Sequence, residues 1–65
     1  MSTRECLTIA REALDAAMQY VSNQLRAAKE PEQVVSLSFE LRAIIRERAE
    51  IECELHRIAA SRNDG

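Results

Sequence analysis

From Val34 onward the apolar residues recur at steps of three and four: Val34, Leu37, Leu41, Ile44, and then Ile51, Leu55 and Ile58. The single longer step passes over Arg48, which stands at a position the rhythm reserves for an apolar side chain. That is the a/d spacing of a heptad, and it predicts one long helix over about 31–61 with a continuous seam along one side. The first half has the same rhythm. Leu7, Leu14, Val21 and Ala28 recur every seven residues, Met18 and Leu25 fill the alternate positions, and Arg11 replaces an apolar residue in the seam. This predicts a first helix over about 4–29, opened by Ser2 and Glu5 at the spacing of a capping box. An apolar stripe of this length needs a surface to cover it.

The punctuation between the two stretches is Lys29-Glu30-Pro31-Glu32-Gln33. Proline restricts the residue before it and is tolerated in a first helical turn, where no N–H bond is lost. Helix 1 is therefore expected to end just before Glu30, with the turn at 29–31 and helix 2 starting at Pro31. So short a connection makes the helices antiparallel neighbours. The predicted fold is all-α: an antiparallel, coiled-coil-like two-helix hairpin filling 1–65 as a single domain, with a polar, frayed end at 62–65 and completed by oligomerisation or a partner chain. Facing residues should have numbers adding to about 60, given equal rise along both helices. Arg48 then faces Glu12 and Asp15, and Arg11 faces Glu47 and Glu50. Such charged pairs in a seam are suited to fixing register. The same arithmetic places Cys6 near Cys53.

More apolar surface is present than the seam uses. Helix 1 carries a second line, Ile9, Ala13, Ala16 and Tyr20. Helix 2 carries another, Val35, Phe39, Ile45, Ala49 and Cys53, continuing to Ala60. An isolated hairpin has no third layer for them. They are the expected partner-binding residues, for either a second copy in a four-helix bundle or a different helical protein.

Composition supports this picture and narrows the chemistry. The chain has 65 residues, with one glycine at its last position, one proline, and only Tyr20 and Phe39 as aromatics. A chain this short builds a thin core. Nine basic and 11 acidic residues leave a net charge of −2, which gives no general attraction to nucleic acid or anionic membrane. No apolar run reaches the length of a membrane span, and the opening residues lack the apolar core of a secretory signal, so the cytosol is the expected compartment. The two cysteines are read as thiols. Cys53 and His56 share a helix face with Glu52 nearby, but one C-x-x-H pair with a single histidine falls short of a zinc signature, and no metal or cofactor is expected. The group reads more simply as a thiol beside a surface histidine paired with Glu52. No nucleophile–base set and no Gly-rich phosphate loop is present, so no catalytic residue is assigned and the chain is read as a non-enzyme. The pairs Arg42 with Arg46 and Arg26 with Lys29 make small basic patches diluted by acids.

Two resemblances follow. Leu14-Asp15-Ala16-Ala17 and Leu25 in helix 1, followed by Pro31-Glu32-Gln33 and the apolar seam, resemble the small E-type co-chaperones of type III secretion needle subunits over roughly the central two-thirds of the chain. That resemblance implies a hairpin that binds a TPR-like chaperone and helps keep the secreted subunit soluble. Leu14, Ala17, Met18, Val21 and Leu25 would then divide between the seam and that contact. The N-terminal lead-in differs from that family's, and helix 2 is longer and more charged. In length and plan the hairpin is also similar to the Rop family, which implies the alternative of a homodimeric four-helix bundle that binds RNA. A purely structural homodimer is a third expectation.

Overall fold

The computed structural model describes residues 2–63 of the chain. Two α-helices, α1 (Thr3–Ala27) and α2 (Pro31–Asn63), pack against each other as a hairpin. The chain measures 54 × 17 × 13 Å, a ribbon two helices wide and one helix thick. Among the described residues there is no strand, and no helix is long and apolar enough to cross a membrane.

The termini follow from local chemistry. Ser2 is the N-cap of α1, in extended backbone at φ −81° and ψ 161°, and its Oγ accepts the Glu5 N–H at 3.1 Å. This satisfies one of the donors that the first turn leaves unpaired, and the Glu5 carboxylate sits at the positive end of the helix dipole. At the other end α1 stops at Ala27, two residues short of the expected 29. Ala28 has turned to extended backbone at ψ 133°, and its N–H closes the last turn on the Leu25 carbonyl at 3.3 Å. The restriction imposed by Pro31 falls on Glu30, and the chain leaves the helix early enough to reverse direction before it. Glu30 then accepts the Val34 N–H at 3.2 Å, which places Pro31 in the first turn of α2. At its far end α2 continues through Asn63, beyond the expected 61. Asp64 and Gly65, part of the expected frayed end, lie outside the described residues.

The core is thin. Val21, 6% exposed, is the one fully buried apolar side chain among the described residues. The other positions of the seam are half-buried, from Leu7, Leu14, Met18 and Leu25 on α1 to Leu37, Leu41, Ile44, Ile51, Leu55 and Ile58 on α2. Val34, beside the turn, is exposed. Two helices touch along one line, so each seam residue is covered by its opposite neighbours and remains open above and below. The accessible surface of 5263 Å² exceeds by roughly 1,000 Å² the value of about 4,200 Å² for a compact monomer of 7.4 kDa.

Candidate interaction site

The polar geometry of the hairpin is set by four side chains in the middle of the seam. Arg48 donates from Nε to Asp15 Oδ1 at 2.5 Å, across the hairpin. Its other guanidinium arm lies 3.8 Å from Glu52 Oε1, one turn further along α2. Arg11 approaches the same Glu52 oxygen at 3.7 Å from α1. Base and acid alternate through Asp15, Arg48, Glu52 and Arg11, and all four side chains are between 33% and 43% exposed. Each helix supplies a seam arginine and an acid four residues later, and the two units are crossed, so the network has an approximate two-fold.

Of the four expected register pairs one forms, and three are not among the ion pairs of the described residues. Arg48 meets Asp15 and not Glu12; Arg11 meets Glu52 and neither Glu47 nor Glu50. Counting residues along the axis ignores which way they point around it. At 3.6 residues per turn Asp15 and Glu52 flank the seam on one side of the ribbon, Glu47 flanks it on the other, and Glu12 and Glu50 point outward. Long side chains also lean toward the N-terminus of their own helix, so Arg11 reaches away from the turn and Arg48 toward it. The sequence reading set Glu52 beside His56 and missed its place in the seam. The signal for it is the repeat of Arg-x-x-x-acid in both helices.

Every residue expected to bind a partner is exposed: Ile9, Ala13, Ala16 and Tyr20 on α1, and Val35, Phe39, Ile45, Ala49 and Cys53 on α2. Phe39 is 67% exposed and Tyr20 64%. The Tyr20 hydroxyl accepts from Gln24 Nε2 at 2.9 Å, one turn along the same helix. The structure does not bring these residues into one surface. Ile9 and Ala16 lie roughly opposite the seam on the outer edge of α1, and Ala13 and Tyr20 are turned to the side away from the ionic network. Val35, Phe39, Ala49 and Cys53 lie on the outer edge of α2, and Ile45 is turned toward the network side. The rows therefore occupy the two opposite edges of the ribbon.

The edges are not purely apolar. At steps of three and four the outermost row of α2 reads Val35, Phe39, Arg42, Arg46, Ala49, Cys53, and that of α1 reads Glu5, Ile9, Glu12, Ala16. All ten are exposed. Arg42 and Arg46 line an open hollow with Phe39 and Ala43, and the ion pairs within 4 Å among the described residues involve neither arginine. The one further ion pair is local to α2, between Arg57 and Glu54.

Candidate chemistry is sparse. Cys6 and Cys53 are free thiols on exposed surface. Among the described residues no three His, Cys, Asp or Glu side chains are grouped to hold a metal ion. The surface hollows are open to solvent; that between the helices at the turn is lined by Gln24, Ala27, Gln33 and Ser36. What the molecule offers is therefore two edges that combine apolar groups with charges outside the ion pairs found among the described residues. Comparison with known proteins finds no matching family model, curated protein or solved structure.

Proposed function

We propose that this hairpin is a non-enzymatic protein-interaction module that works by packing an outer edge on another helical chain. The observation that carries the reading is the exposure of Phe39, with Val35 one turn before it, on a ribbon with no layer of its own to cover them. Helix-on-helix docking uses such i, i+4 anchors. The excess accessible surface is of the size that a standard interface removes, about 800 Å² per partner. A specific form of the reading is a co-chaperone of a type III secretion needle subunit. Its support is the resemblance carried by Leu14-Asp15-Ala16-Ala17 and Pro31-Glu32-Gln33.

The reading is tested by affinity capture from an extract of the chain's own cells, followed by reconstitution with the purified partner. A helical protein retained by the wild type, lost on Phe39→Ala and kept on His56→Ala is the expected result. A needle subunit or a TPR-like chaperone in that position would establish the co-chaperone form. A chain that retains nothing and is monomeric at high concentration overturns the reading.

A further inference from the structure

The two broad faces of the ribbon differ in chemistry. On one, Asp15, Arg48, Glu52 and Arg11 cover the middle of the seam with charges that match one another. On the other, the seam residues rotated toward the surface are Leu7, Leu14, Leu37, Ile44 and Ile51, all apolar and half-buried. The α1 flank of this second face is uncharged, with Cys6, Ala10, Ala13, Ala17 and Gln24 along it. The α2 flank carries Glu40, Glu47 and Glu54 at steps of seven. Glu54 is paired with Arg57 on its own helix. Glu40 and Glu47 are exposed and belong to none of the ion pairs among the described residues. Neither has a base three or four residues away along α2, and the α1 flank opposite supplies none. This face is an apolar groove with one acidic bank. We infer that it takes a single helix of a different protein, with an apolar stripe that fills the groove and lysines or arginines along the side toward α2.

Shape and charge together select this occupant. The alanines at 10, 13 and 17 let a third backbone approach α1 closely, since the distance between helix axes is set by the side chains at the contact. The hollow at the turn, between Gln24 and Gln33, opens on this same face and extends the groove. On a helix with heptad spacing, one basic position recurs about every 10.5 Å, the interval of the three glutamates. A second copy is a poor match. Stacking two of these faces sets each acidic bank either on the other acidic bank or on an uncharged flank, so Glu40 and Glu47 gain no cation in any register. The same row repels nucleic acid and anionic membrane. The groove is separate from the Phe39 edge, which points away from the seam, and the two surfaces can be occupied independently.

The test is titration of the full chain into a fluorescently labelled peptide of about three heptads, read by anisotropy. The peptide has leucine at a and d and lysine at e and g, whose like charges oppose pairing with itself; its counterpart has glutamate in place of lysine. The lysine peptide should bind at least about tenfold more tightly at about 0.05 M salt, and the preference should shrink at about 0.5 M. Glu40→Lys with Glu47→Lys should reverse the preference while circular dichroism keeps its helical signal. Glu5→Lys with Glu12→Lys makes the same change of net charge on the outer edge of α1 and should leave binding of the lysine peptide within about twofold, as should Phe39→Ala. A lysine peptide that does not bind, that binds no better than its counterpart, or that is lost equally from the two charge variants overturns the inference. Loss on Phe39→Ala also overturns it, by moving the contact to the outer edge. So does a wild type whose self-association, followed by sedimentation, excludes the peptide, because a second copy then fills the groove. The capture experiment above reports on the Phe39 edge alone, so either surface can fail without the other.

Discussion

Arg48 and Asp15 meet across the hairpin at 2.5 Å, and the same arginine reaches Glu52 on its own helix, which ties it to Arg11. Two seam positions that an apolar residue would fill are thus occupied by charge, with each arginine compensated from the opposite helix. Half-exposed pairs of this kind contribute little net stability, and their better-attested role is to select one register among several that an apolar seam allows. Arg48→Leu should therefore raise the stability of the hairpin, by about 1 kcal/mol, while broadening the amide NMR spectrum as shifted registers become populated. Thermal unfolding and one heteronuclear spectrum measure both effects. A variant that is destabilised and still sharply dispersed would show the arginine to be a stability element.

Seam and edge should separate cleanly under truncation. Val21→Ala removes two methyl groups from the best-covered site and is expected to cost about 1.5–2 kcal/mol in urea unfolding. Ile44→Ala, half-buried, should cost about 1–2 kcal/mol, at or below the bottom of the range for a fully covered side chain. Phe39→Ala should change the stability of the lone hairpin by no more than about 0.5 kcal/mol, as for most surface sites.

Ser2→Ala removes the acceptor for the Glu5 N–H, with an expected cost of about 1 kcal/mol. The loss should be local. Hydrogen exchange should accelerate in the first turn of α1 and remain unchanged around Val21.

The turn offers a less obvious prediction. Continuing the rhythm of α1 past Leu25 and Ala28 arrives at Glu32, Val35, Phe39 and Arg42, the outer edge of α2, and not at Val34, Leu37 and Leu41. A straight helix through 29–31 would break the apolar stripe, so the phase shift enforces the reversal together with Pro31. Pro31→Ala should accordingly leave the chain a hairpin, destabilised by about 1 kcal/mol or less. Small-angle scattering separates this from the roughly 90 Å rod that one uninterrupted helix would form.

Both helices and the reversal were legible in the sequence because the heptad spacing, Ser2 and Pro31 act through neighbours at most a few residues away. The seam followed from the same spacing. The partners of its arginines were harder to read, since they depend on azimuth and on side-chain lean as well as on distance along the axis. That is why Glu47 and Glu50 looked suitable for Arg11 and Glu52 did not. The exposed rows of Ile9 and Phe39 were visible as surplus apolar residues. Their separation onto opposite edges emerges once the two seams are set face to face, because both rows then point away from the line of contact.

Val21 lies two turns from the loop, on the closed side of the hairpin. With coverage greatest there and only half-buried contacts beyond it, closure should run like a zipper: the turn forms first, Val21 locks it, and the far ends join last. The contacts nearest the loop span the shortest stretches of chain, which favours rapid folding, and the open end should breathe without unfolding the rest.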